Sequence, residues 1–183
     1  MLEDKILLWK IKHGNSDALC RVYDKYKRDM LSLANALLHD FGAAEDVLHD
    51  VFVTFAESVD NFKLTGSLKG YLLTCVANLS RDRLRAKKRA PQQINGIDIA
   101  LSEPTMPDKT VITAEQMQSL RNAITALPYE QREVVLLHLQ AGQTFRQIAQ
   151  LQQASVGTIQ SRYRYGLQKL KALMSEVENE THR

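Results

Sequence analysis

The sequence predicts an all-α protein: two small helical domains, residues 1–89 and 113–183, joined by a flexible linker over 90–112, the second ending in a helix-turn-helix. Three observations predict it. Apolar residues recur at three- and four-residue steps through most of the chain, the period of amphipathic helices. From Ala90 to about Thr110 that period vanishes and Pro91, Gly96, Pro104 and Pro107 accumulate, a structureless stretch too long for a loop inside one domain. The third observation is Thr144–Leu170, where a short helix, a tight turn and a second helix with a polar outer face follow one another.

In chain order, residues 3–12 predict a short helix (Ile6, Leu7, Lys10, Ile11) stopped by Gly14-Asn15. Asn15 or Ser16 then caps a helix running to about His39, with Leu19, Val22, Tyr23, Tyr26, Met30, Leu33, Ala34, Leu37 and Leu38 on one side. Phe41-Gly42 is expected to break it. A third helix, Ala43–Val59, carries Val47, Leu48, Val51, Phe52 and Phe55 as its stripe, with Glu45, Asp46, Asp50 and Glu57 around it. Asp60–Gly66 reads as a loop. The fourth helix, Ser67 to about Lys88, buries Leu68, Tyr71, Leu72, Cys75, Val76 and Leu79. It ends in six cations within nine residues, Arg81 to Arg89, more than the helix dipole needs, so a phosphate-facing role competes with plain solvation.

After the linker, Ala114–Leu127 is helical, and Pro128 opens another helix that runs to Ala141-Gly142. Thr144 and Gln147 stand at capping-box spacing before Phe145, Ile148, Ala149 and Leu151. Gln153-Ala154 is the turn and Ser155 the cap of the last helix, whose Val156, Ile159, Tyr163, Gly166, Leu167 and Leu170 face inward. Thr158, Gln160, Ser161, Arg164 and Tyr165 face outward, and Arg162 borders the core. Hydrogen-bonding side chains on that face are what reads bases in the major groove. An ordinary helical hairpin with a solvated face is the other reading. The chain ends in an acidic tail from Glu176.

Composition bounds the rest. The net charge of +3 is small, but residues 1–90 carry fifteen basic against twelve acidic side chains, 113–183 eight against six, and the connector one lysine against three acids. No secretory leader and no apolar run of membrane-spanning length is legible, so a cytoplasmic protein without membrane insertion is expected. Cys20 and Cys75 lie far apart in apolar helical patterns and read as buried free thiols, with no metal-ligand spacing around them. No nucleophile–base pair or paired-carboxylate constellation is present, so no enzyme and no cofactor are expected. Asp46 and Asp50 share a helix face but fit a partner or solvent better than a metal.

Two motif sets then carry a resemblance. LPYEQREVVLLHLQAGQTFRQIAQ and ASVGTIQSRYRYGLQKLK resemble the fourth region of bacterial sigma factors, and Val-Gly-Thr-x-x-Ser-Arg at 156–162 resembles the extracytoplasmic-function (ECF) group. Ala44-Glu45-Asp46 with Asp50-Val51-Phe52 resembles that family's polymerase-binding helix. Residues 68–89, with Asn78, Asp82 and Arg85, resemble its promoter-melting helix. The resemblance covers about 16–89 and 113–174. It departs at Tyr71, where the family usually has Trp, and at Gln160, Tyr165 and Leu167, where cations are common.

The resemblance implies an alternative sigma factor: no catalysis, but binding of core RNA polymerase and direction of it to promoter DNA. Asp46, Val47, Asp50, Val51 and Phe52 would dock the clamp coiled coil of the polymerase, and the second domain its flap. Asp60, Asn61, Phe62, Lys63 and Leu64, with Asn78, Arg81 and Arg85, would take the non-template strand of the −10 element. Thr158, Gln160, Ser161, Arg162, Arg164 and Tyr165 would take the −35 element. An anti-sigma factor would be a further partner. A helix-turn-helix regulator acting without polymerase is the rival reading, and a purely structural helical adaptor a third.

Overall fold

The computed structural model describes residues 2–64, 66–89 and 114–181, and within them there is helix and turn but no strand. Eight helices follow in order: α1 Leu2–Lys12, α2 Ser16–Leu38, α3 Phe41–Ser58, α4 Leu68–Arg89, α5 Ala114–Thr125, α6 Tyr129–Leu139, α7 Phe145–Gln152 and α8 Val156–Thr181. A 3-10 turn, Val59–Asn61, continues α3. The expected linker, Thr65 of the 60–66 loop and the side chains of the acidic tail lie outside the described residues.

Local chemistry sets the boundaries. The Asn15 side chain accepts the Ala18 N–H at 2.9 Å, a cap worth about 1 kcal/mol. The α2–α3 break does not fall at Phe41-Gly42, as expected, but two residues earlier. His39 takes the left-handed conformation (φ 56°), and Asp40 caps α3 by accepting the Ala43 N–H, so Phe41 and Gly42 form the first turn of α3. The Ser67 hydroxyl accepts the Gly70 N–H at the start of α4.

The helices α2, α3 and α4 form a bundle around Met30, Leu33, Leu37, Phe55, Leu68 and Leu72, with α1 laid across α2. Each fully buried leucine there contributes roughly 1.5–3 kcal/mol. In the second half α6 and α8 pack through Val135 and Gly166, and a Cβ at Gly166 would stand 2.9 Å from Val135 Cγ2. The two halves are packed on one another, α4 against α6 and α2 against α5 and α6, and their apolar residues form one cluster.

Several burial expectations are corrected. Ile6 is not in the core; Leu8 is, beside Leu7 and Ile11. Cys20 is an exposed free thiol, because its position on α2 falls outside the buried stripe; Cys75 is half-buried and burial pushes its thiol up. Val156 is exposed, since the first turn of α8 precedes the seat at Ile159; Leu167 is exposed as well.

Candidate nucleic-acid and polymerase interface

The helix-turn-helix is built as its sequence reads. Thr144 and Gln147 form the reciprocal capping box of α7, Gln153 takes the left-handed turn (φ 51°), and the Ser155 hydroxyl accepts the Thr158 N–H at 3.0 Å. Ile159 is fully buried beneath α8, and His138, Phe145 and Tyr163 pack on one another with ring centroids 4.5–5.2 Å apart. This seat turns Gln160, Arg164 and Tyr165 to solvent. Arg164 lies over the Tyr165 ring at 5.0 Å, so the two form a stacked pair. Ser161 is half-buried. The Thr158 hydroxyl is 2.9 Å from that of Ser155, inside the cap. Arg162 points back instead, donating to Gln152 Oε1 at 2.6 Å.

On the first half the five expected polymerase-docking residues divide. Val47, Val51 and Phe52 are buried, and Phe52 meets Tyr23 edge-on at 4.9 Å. Only Asp46 and Asp50 reach the surface, and Arg83 of α4 bridges them at 3.3 and 2.6 Å. The exposed face of α3 therefore carries Glu45, Asp46, Asp50 and Glu57 with His49, Val53 and Thr54, not an apolar centre ringed by acids.

The 60–64 segment is held at Asp60 and Phe62. Lys12 Nζ donates to the carbonyls of Asp60 (3.0 Å) and Phe62 (2.8 Å). The Phe62 ring wedges between Phe55 (5.7 Å) and Tyr71 (4.5 Å), leaving Asp60, Asn61 and Lys63 exposed and Leu64 half-buried. Phe62, Lys63, Leu64 and Tyr71 line one wall of a cavity of about 690 Å³; Gln143, Gln147, Ile148 and Leu151 from the second half line the other. Arg85 is exposed, near Asp82.

Arg81 and Asn78 are placed differently from a free phosphate-binding surface. Arg81 crosses to the second half, pairs with the Glu133 carboxylate and donates to the Leu151 carbonyl at 3.0 Å. Its side chain is only 12% exposed and that of Glu133 2%. Asn78 Oδ1 faces the same guanidinium at 3.5 Å. Glu133 also accepts from Gln152 Nε2 at 2.7 Å, so a polar chain runs from Arg162 through Gln152 and Glu133 to Arg81. Burial pushes the Glu133 carboxyl above its usual range, and those donors pull the other way.

Two more contacts close the halves. Arg132 of α6 donates to the carbonyls of Thr125 (2.8 Å) and Leu37 (3.3 Å) and meets His39 Nε2. Burial, then the Arg132 charge, holds the His39 imidazole below its usual range. Gln143 Nε2 donates to Gly70 O and Thr74 Oγ1 at 3.2 and 3.0 Å. Gly70 is needed there, because a Cβ would stand 2.8 Å from the Ala141 carbonyl.

Glu133, Gln152, Arg83, Arg132 and Gln143 were not anticipated. Glu133 precedes the apolar run Val134–Leu137, and its place in that run is the one sign that it is buried; its partner is 52 residues away and has no local signature. Among the described residues no group of His, Cys, Asp and Glu side chains could hold a metal ion, and no helix is long and apolar enough to cross a membrane.

Comparison with known proteins adds an independent line. The profile of sigma-70 region 2 matches residues 22–90 and that of sigma-70 region 4 matches 117–170, together about two thirds of the chain. The chain is 23% identical over 179 residues to the ECF RNA polymerase sigma factor SigW of Bacillus subtilis, covering 92% of this chain and 95% of that one. It is 24% identical over 170 residues to the ECF RNA polymerase sigma-E factor of Escherichia coli, covering 88% of each. In fold it is similar to the sigma factor RpoE of Bartonella quintana, solved with the anti-sigma factor NepR (TM-score 0.67, 22% identity, 85% of this chain and 95% of that one). It is also similar to CnrH, solved with the cytosolic domain of CnrY (TM-score 0.62, 20% identity, 95% and 98%). With both conserved regions present in order and the helix-turn-helix built as they require, the chain belongs to the sigma-70 family, in its ECF group, and is an alternative sigma factor that binds core RNA polymerase and directs promoter recognition.

Proposed function

We propose a division of labour between the halves of this sigma factor. The exposed face of α8 reads the −35 element through Gln160 and the Arg164–Tyr165 pair, with Ser161 and Thr158 close to the backbone. The observation that carries this is the seating of Ile159, which fixes those side chains outward at the N-terminal turns of a capped helix. Arg162 is a positioning residue, holding Gln152 rather than DNA. Gln pairs bidentately with adenine, so Gln160→Ala is expected to relax preference at one base pair by about 1–3 kcal/mol. Selection from a randomised −35 element checks this; unchanged preference at every position moves base reading to Arg164 and Tyr165.

The 60–64 segment with Asn78 and Arg85 takes the melted −10 strand, Phe62 and Lys63 supplying a stacking surface and a cation. Arg81 joins them only when the halves separate, because in the closed arrangement Glu133 holds it. Asp46 and Asp50 are the polymerase-facing acids, and the clamp coiled coil of the polymerase is the basic helical surface they suit. The flap would take the second half. Reversing both charges in Asp46→Lys with Asp50→Lys is expected to weaken core binding by roughly 1–3 kcal/mol while the fold persists, since Val47, Val51 and Phe52 stay in the core. Equal affinity in a folded double variant, measured by titration against core polymerase, places the interface elsewhere. The protein acts in the cytoplasm without catalysis or cofactor, and an anti-sigma factor gripping both halves is its expected regulator.

A further inference from the structure

One surface belongs to neither the DNA-facing nor the polymerase-facing side. On α1, Leu7, Leu8 and Ile11 are buried, whereas Leu2, Ile6 and Trp9 on the opposite side are 75%, 47% and 60% exposed. A solvated helix face does not ordinarily collect two aliphatic side chains and the chain's single tryptophan. Their spacing is informative. Leu2, Ile6 and Trp9 follow at steps of four and three, the spacing of a two-helix coiled-coil seam, and His13 stands just past the end of the helix. Trp9 is already ordered, its indole 4.2 Å from the His13 ring and its carbonyl 2.7 Å from His13 Nδ1. Docking there forfeits little side-chain entropy.

The edges of the seam specify the occupant. Lys5 and Lys10 flank it on its two sides, both outside the core and neither with an ion pair among the described residues, whereas Glu3, the acid on the Lys10 side, is already paired with Lys25 at 2.6 Å. In the coiled-coil register they occupy the edge positions where pairing charges set partner choice. Two copies of this helix side by side in parallel would put Lys5 of one against Lys10 of the other. Like charges so placed oppose self-association. A helix with an apolar stripe and glutamate or aspartate at its edges satisfies both the stripe and the lysines.

We propose that α1 is a docking seam for an acidic-edged amphipathic helix of another protein. The exposed seam lies apart from α3 and α8, while Lys12 at the end of the same helix holds the 60–64 segment.

Trp9 makes the site readable, because intrinsic tryptophan fluorescence reports it alone. The full chain is titrated with a designed helical peptide bearing leucine at its seam and glutamate at its edges. The same peptide with lysine edges and vesicles containing anionic phospholipid are titrated in parallel. Saturable blue shift of Trp9 emission is expected with the glutamate-edged peptide and not with the other two. Ile6→Glu should weaken that binding about tenfold or more, and Lys5→Glu with Lys10→Glu should exchange the preference to the lysine-edged peptide. Lys5 and Ile6 are exposed and Lys10 is half-buried, none of them in the core, so the fold is retained, and circular dichroism confirms it. No shift with the acidic peptide, or equal shifts with both peptides, overturns the proposal. A shift with vesicles alone assigns the face to a membrane surface, and a shift that follows protein concentration without peptide assigns it to a second copy; either result also overturns it.

Discussion

Glu133→Ala is expected to open the molecule. The carboxylate is almost wholly buried and accepts from Arg81 across the interface and from Gln152 within its own half. Removing one member of a buried pair strands the other, a loss of roughly 3–5 kcal/mol. Here the stranded group is Arg81, and the cheapest escape is for the halves to part and solvate it. Small-angle scattering should show an expanded particle with unchanged helix content, and binding of single-stranded −10 DNA by the free factor should rise as Arg81 is released. Gly70→Ala should reach the same end by crowding the Ala141 carbonyl instead of removing a charge. Dimensions and strand affinity that stay put in both variants would mean that the Arg81–Glu133 pair does not hold the halves together.

Ile159→Ala is the second large effect. The side chain is fully buried where α8 sits on α6 and α7, and such truncations cost about 2–5 kcal/mol. For a helical unit of this size that is much of its whole stability. The −35 contribution to promoter binding should therefore be lost, while −10 strand binding and the acidic face of α3 persist, because α2, α3 and α4 keep their own packing. Comparing promoters with and without a −35 element measures this directly. An equal loss on both would show that the first half depends on the second for its fold.

Periodicity and capping made the helices legible. The 3.6-residue stripes of α2 and α4, the Thr144–Gln147 box and the Ser155 cap are local chemistry, and local chemistry is written in neighbouring residues. Boundaries slipped where a left-handed residue did the breaking: His39 has no special sequence mark, whereas Phe41-Gly42 looks like a break and is a first turn. Exposure was legible where it follows from a single helix, as at Gln160, Arg164, Asp46 and Asp50. It was not legible where a partner from the other half decides the matter. Arg81 stands in a run of cations that reads as one phosphate-facing surface, yet a glutamate 52 residues away buries it. Val51 and Phe52 stand in the apolar stripe of α3 and also match the family's polymerase-binding helix; the stripe decides, and both are buried.

The most direct measurement mixes the purified chain with purified core RNA polymerase and follows both complex formation and initiation on a template selected for a −35 and −10 element. A sigma factor should form a stoichiometric complex with core, confer specific initiation, and lose both when Asp46 and Asp50 are reversed. DNA binding by the chain alone, with no complex and no initiation in the presence of core, would contradict this and leave a helix-turn-helix protein that works without polymerase.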